Sequence, residues 1–193
     1  PAALLLLLGL AGARPGPPSI IFILSDDLGF GDYEISEPVH PQGGQGRIQT
    51  PNIVRLANGG MRFLQSYSGP ICAPSRTVLM TGKHMGHTTI RGNDGAYTPL
   101  LPTDVTVAKV LQPTHVTGLI GKWGLGNIGT SGAPNAQGFT YFFGQDTQVG
   151  CHNWYPWDGT AAGGRLYRQS TAVEVSANAN ATIETCGYRI QNC

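Results

Sequence analysis

Charge is scarce in this chain. Only 12% of its 193 residues are Asp, Glu, Lys or Arg, and 12 basic side chains nearly cancel 11 acidic ones, for a net charge of +1. Without a basic excess there is no electrostatic footprint for a nucleic-acid partner. A bilayer-spanning run is also lacking. The unbroken apolar stretch Leu4–Leu8, continued by Gly9-Leu10, is too short to cross a membrane. Internal repeats and low-complexity tracts are absent between the ends, which argues against a solenoid. Cysteine is limited to Cys72, Cys151, Cys186 and Cys193. Abundant instead are glycine, at 28, and proline, at 14, which predict many tight turns and long loops.

Two features of the ends bear on location. Leu4–Leu10 followed by Ala11-Gly12-Ala13 reads as the apolar and cleavage regions of a secretory signal peptide without its basic start. Residues 1–18 are therefore assigned to a partial signal peptide and linker. Residues 19–193 are assigned to one catalytic domain, incomplete at its C-terminus. Asn180-Ala181-Thr182 is a glycosylation sequon, consistent with a secreted or lysosomal protein.

Along the chain, Ser19–Leu24 is continuous, apolar and β-branched, which predicts a strand buried on both faces of a parallel sheet. It runs into Asp26-Asp27, and ligands of open α/β sheets bind beyond the carboxyl ends of strands. A helix is predicted from Pro51 to Ala57, closed by a left-handed Asn58 or Gly59. Met61–Tyr67 is read as a strand or extended segment. A second helix opens at Pro74-Ser75, runs to about Met80 and closes at Thr81-Gly82. A third spans Val105–Leu111 with Thr103 or Asp104 near its cap. Val116–Ile120 and Tyr141–Phe143 are predicted strands, and Val173–Val175 is a weaker one. Strands alternating with helices predict an α/β fold with a mostly parallel sheet flanked by helices.

The chemistry concentrates in short motifs. Cys72-Ala73-Pro74-Ser75-Arg76 precedes Thr81-Gly82. Taken alone, Cys72 is compatible with a buried structural cysteine or with a thiolate at a helix N-terminus. Arg76 follows one helical turn later. Adjacent carboxylates at Asp26 and Asp27 repel unless a cation lies between them, and oxygen ligands suit a hard cation. Further on come Gly121-Lys122-Trp123-Gly124-Leu125-Gly126, then Gly138-Phe139 with Tyr141-Phe142-Phe143-Gly144, then His152-Asn153-Trp154-Tyr155-Pro156.

Together these motifs resemble the type I, formylglycine-dependent sulfatases, in the style of the bacterial-type arylsulfatases. The resemblance runs from about Ser19 to Trp157 and corresponds to the N-terminal part of such an enzyme, within the alkaline-phosphatase-like fold. It implies that Cys72 is oxidised to formylglycine by the formylglycine-generating enzyme, which reads C-x-P-S-R in the secretory pathway. It implies Ca²⁺ bound by Asp26, Asp27 and residue 72, and Arg76 and Lys122 as catalytic residues. Lys122 and His152 would contact a sulfated small molecule or carbohydrate. One hydroxyl of the hydrated aldehyde would attack sulfur and displace the alcohol. The other, once deprotonated, would expel sulfate and restore the aldehyde, an intramolecular release. The chain departs from the family pattern at Gly124, where many members carry histidine and some bacterial-type ones glycine, and at Thr140, where aspartate is usual. A phosphate or phosphonate ester hydrolase of the same superfamily, and a truncated non-catalytic paralogue, stand as alternatives. Lys83 is compatible with a site contact or a solvated helix end, and His84, His87 and Asn93 with pocket lining. If Cys72 is consumed, three cysteines remain, implying a free thiol or a partner outside the set.

Overall fold

The computed structural model describes residues 16–29, 32, 34, 48–63, 65–93, 98–152 and 165–173, with the side chains of Val149 and His152 excepted. The signal-peptide region through Pro15, the sequon, Cys186 and Cys193 lie outside the described residues. The elements are α1 (Pro51–Gly59), α2 (Cys72–Thr81), a 3-10 turn (Met85–His87), α3 (Val107–Leu111), β1 (Gly118–Lys122), β2 (Tyr141–Gln145), a second 3-10 turn (Val149–His152), β3 (Tyr167–Arg168) and β4 (Thr171–Ala172). No helix among the described residues is long and apolar enough to cross a membrane.

The sheet has the order β1-β2-β3-β4. β1 and β2 are parallel, with Gly118 opposite Tyr141 and Lys122 opposite Gln145. The expected parallel pair is therefore present. β3 and β4 form an antiparallel hairpin on the far edge of β2, so the sheet is mixed. The predicted strand at Val173–Val175 lies two residues early, at Thr171–Ala172; Glu174 and Val175 are outside the described residues.

Packing explains which segments are fixed. Ala73, Ile90, Leu100, Ala108, Trp123, Leu125, Phe139 and Phe142 form one buried cluster between β1–β2 and the helices. Trp123 meets Phe139 edge-to-face at 5.7 Å, a favoured geometry for aromatic quadrupoles. Its indole N–H donates to the Gly132 carbonyl at 2.7 Å, so the buried ring has no unmet donor. The close approach of β1 to β2 requires a residue without a side chain at Gly144, where a Cβ would stand 1.9 Å from the Gly121 carbonyl oxygen.

Several expectations are corrected. Ser19–Leu24 is extended but pairs with no strand among the described residues, and its side chains are exposed, Ile21 at 85% and Ile23 at 81%. Burial on both faces needs covering layers that the described residues do not contain. The segment is instead tethered at its ends, by His115 Nε2 against the Pro18 carbonyl at 3.1 Å and by Asp26. Helix α1 continues through Asn58 and Gly59 and stops at an extended Gly60, with no left-handed cap. Helix α2 begins at Cys72, two residues before the expected Pro74, and closes at a left-handed Gly82 as expected. The cap of α3 is Thr106, whose hydroxyl accepts from Lys109 N–H at 3.2 Å and donates to the Gln137 carbonyl at 2.5 Å. Asp104 caps a tighter turn instead, accepting from Leu101 N–H at 2.9 Å and from Lys83 Nζ at 3.0 Å. Lys83 is thereby committed to a structural ion pair.

Gly144→Ala forces backbone atoms of β1 and β2 apart and should destabilise the full-length protein by about 3 kcal/mol; a urea midpoint within error of wild type would contradict the packing argument. Burial alone would raise the Asp104 carboxyl, but the Leu101 N–H and Lys83 and Lys109 outweigh it and hold the group below 3.8. A carboxyl depressed in the folded state stabilises above its unfolded value and loses that contribution as pH falls through the folded one. Asp104→Asn should therefore be less stable than wild type at pH 7, with the gap closing on acidification below 3.8. A pH-independent gap in urea titrations would show that charge is not the cause.

Candidate active site

Three distant stretches meet at one point. The acid pair follows the extended segment, Cys72 and Arg76 lie on the first turns of α2, and Lys122 ends β1. Lys122 Nζ donates to Asp26 Oδ2 at 2.9 Å and lies 3.3 Å from Cys72 Sγ. Arg76 Nη2 donates to Asp26 Oδ1 at 3.2 Å, and Nη1 donates to the Lys122 carbonyl at 2.7 Å. The i, i+4 spacing of Cys72 and Arg76 puts both on one helix face. Arg76 Nε is buried without a hydrogen-bond partner.

Successive side chains of an extended chain point to opposite faces, so Asp26 and Asp27 cannot both address the site from a regular strand. Asp27 resolves this by taking a left-handed conformation, φ 54°, one that Asp tolerates better than most residues. Its carboxylate then joins that of Asp26 and the Cys72 sulfur, with one ligand atom from each lying within 4.8 Å of the others. The loop beyond is closed by Asp32, whose carboxylate accepts from Gly29 N–H at 2.7 Å.

Electrostatics are set by partial burial. Lys122 has a side chain only 6% exposed, against 40% for Asp26. Desolvation pushes the Lys122 ammonium down, but Asp26 and Cys72 outweigh it and raise its value, so it stays charged. Burial pushes Asp26 up, and Lys122 with Arg76 more than reverses this. Cys151 is a free thiol pushed up to about 12 by burial, with Lys122 and Arg76 pulling the other way. It therefore stands near the cluster as a neutral thiol.

Of the residues read from the sequence, Asp26, Asp27, Cys72, Arg76 and Lys122 converge. Lys122 is the last residue of β1 rather than the start of a loop after it. His152 ends the second 3-10 turn, and its side chain lies outside the described residues. His84 accepts from Gly86 N–H within its own turn. Asn93 has a role that sequence reasoning missed: its Oδ1 accepts from Ala73 N–H at 3.0 Å. It caps the N-terminus of α2 from twenty residues away, where Ile71 offers no side-chain cap. Only the fold supplies that pairing, so no local signal could have found it.

The comparisons with known proteins agree with one another. Residues 18–179 match the family model described as Sulfatase. The chain is similar to arylsulfatase A of Homo sapiens, 42% identical over 158 residues, covering 75% of this chain and 28% of that protein. It is 37% identical over 166 residues to N-acetylgalactosamine-6-sulfatase of Canis lupus familiaris, covering 80% of this chain and 29% of that one. Among solved structures, Ps i-CgsB superposes with a TM-score of 0.65 at 26% identity, covering 79% of this chain and 36% of that one. A structure from work on glycosaminoglycan metabolism by Bacteroides thetaiotaomicron gives 0.57 at 27% identity, covering 77% and 30%. The chain thus spans under a third of the length of these curated relatives.

Removing the remote cap is a direct check on how the helix carrying Cys72 is held. Asn93→Ala should cost about 1 kcal/mol in denaturant unfolding, while Asn93→Asp, which keeps the acceptor, should cost clearly less. Equal losses in the two variants would mean that the Ala73 contact is not what matters.

Proposed function

The chain belongs to the sulfatase family, and we propose that the protein hydrolyses sulfate esters through a formylglycine made from Cys72. The observation that carries this reading is the convergence of Cys72, Arg76, Lys122 and two carboxylates on one point from three separate segments. In that arrangement Lys122 offers its ammonium to the sulfate oxygens. Arg76 braces the Lys122 backbone and brings a second positive charge to the nucleophile. The position of residue 72 in the first turn of α2 adds the positive end of the helix dipole.

The donor set bears on the cation. Two carboxylates and a sulfur are a mixed set, since sulfur is soft and Ca²⁺ takes oxygen ligands. With an oxygen-bearing residue at position 72 the set becomes all oxygen, so the residues fit Ca²⁺ after maturation of Cys72. Asp26, Asp27 and residue 72 would hold the ion, and its chemistry there would be that of a Lewis acid on a sulfate oxygen. His152, at the end of the 3-10 turn beside the cluster, is assigned to the substrate side. The substrate is a sulfated small molecule or carbohydrate. Maturation calls for the formylglycine-generating enzyme, so the protein belongs to the secretory pathway, as a secreted or lysosomal enzyme. The names of its relatives, arylsulfatase A and N-acetylgalactosamine-6-sulfatase among them, support the reaction class.

The test combines chemistry and kinetics on the full-length protein secreted from a cell that carries the modifying machinery. Tryptic peptide Phe63–Arg76 should carry an aldehyde at residue 72 by mass spectrometry. Cys72→Ala should reduce aryl sulfate hydrolysis roughly a thousandfold or more. Wild-type protein should prefer the aryl sulfate to the matched aryl phosphate. A thiol throughout the secreted material, or activity retained in Cys72→Ala, would remove the nucleophile from this account.

A further inference from the structure

Gly124 lies two residues beyond Lys122, at φ +74°. A Cβ placed there would stand 1.9 Å from Nε2 and 2.4 Å from Cδ of Gln148. The Gln148 carboxamide thus fills the space that a side chain at position 124 would need. Gln148 is 93% buried, since its exposure is 7%. Its Nε2 donates to the Gly124 carbonyl at 3.0 Å, and its Oε1 has no hydrogen-bond partner. The carboxamide is therefore held by one directed bond, and that bond holds the turn at Gly124, two residues beyond the end of β1 at Lys122.

The residues between are held by Arg76 Nη1 on the Lys122 carbonyl, by the buried Trp123 ring and by main-chain bonds. Trp123 N–H donates to the Gln145 carbonyl at 2.9 Å, and Gly124 N–H to the Asp146 carbonyl at 3.0 Å. Gln148 also directly precedes the 3-10 turn Val149–His152. Its side chain ties the residues just beyond β1 to that turn. Both flank the cluster of Asp26, Cys72 and Arg76.

We propose that Gln148 is a positioning residue, which acts through the Gly124 carbonyl to hold Lys122 against Cys72 and Asp26, and which takes the place of a side chain at position 124. The catalytic consequence rests on the sulfatase reading above; the positioning itself does not.

Two readouts separate the two. In full-length protein made without the modifying machinery, residue 72 stays a thiol. Its alkylation by iodoacetamide at fixed pH, followed on peptide Phe63–Arg76, reports whether Lys122 Nζ is held beside Sγ. Gln148→Met keeps the volume and loses the amide. It should slow alkylation in the same direction as Lys122→Met, by several-fold. In the matured enzyme the same variant should weaken inhibition by inorganic sulfate about tenfold, a ratio that a smaller folded fraction does not change. Alkylation in Gln148→Met equal to wild type, while Lys122→Met is slowed, overturns the proposal. So does slowed alkylation in Gln148→Ala with a wild-type rate in Gln148→Met, because packing alone would then suffice. If alkylation responds as expected but wild-type protein hydrolyses no sulfate ester, the positioning role stands and the sulfatase reading fails.

Discussion

Asp26 is a single carboxylate shared by two cations, Lys122 at 2.9 Å and Arg76 at 3.2 Å. The segments it joins are 96 and 50 residues away along the chain. Because Asp26 is well exposed, solvent screens both pairs, and little net stability should be credited to them. Their importance is geometric. Lys122 is almost fully buried, so losing its counter-charge would leave an ammonium in a poorly solvated place. Each member of the cluster is thereby held where it is by the others. The segment 19–24, which no strand among the described residues secures, is fixed at this end by the same carboxylate.

Lys122 can serve as the rigid member because the next residue is firmly anchored. Trp123 is 1% exposed, packed on Phe139 and hydrogen-bonded through its indole. The parallel pairing of β1 with β2 runs through Lys122 itself, and Arg76 closes on its carbonyl from α2. Core packing, a sheet ladder and a charged hydrogen bond therefore coincide within two residues. A flexible lysine is an imprecise tool because of its rotamer entropy. Here the stem is buried and its head has two partners, so that freedom is already lost before any ligand arrives.

What could be read in the sequence was what local rules determine. The helix after Cys72 was legible because Pro74 suits a first turn and Gly82 a left-handed stop. The strands around Ile120 and Phe142 were legible as short β-branched or aromatic runs. The site residues were legible through their motifs, and five of the six reappear together, with the His152 side chain outside the described residues. What was not legible depended on long-range partners. Thr106, not Thr103 or Asp104, caps α3 because its hydroxyl also reaches the Gln137 carbonyl across the core. Asn93 and Gln148 act on backbone groups 20 and 24 residues away. The apolar run at Ser19–Leu24 has the composition of a doubly covered strand, but composition specifies the need for covering layers, not their presence.

Charge counting gives the cluster its direction. Lys122 and Arg76 contribute two positive charges, and Asp26 and Asp27 contribute two negative ones, so the four side chains balance. A balanced cluster has no strong preference for an anion, even though two of its members are cations, because both are spent on Asp26. The field becomes attractive to a sulfate ester only when positive charge is added on the carboxylate side. The acid pair is the part of the cluster open to solvent, and Asp27 stands there in a left-handed conformation, φ 54°. On the proposed reading, a divalent cation at that point would leave the site with an excess of positive charge beside residue 72. On that reading the acid pair and the buried lysine form two halves of one anion site, with residue 72 between them.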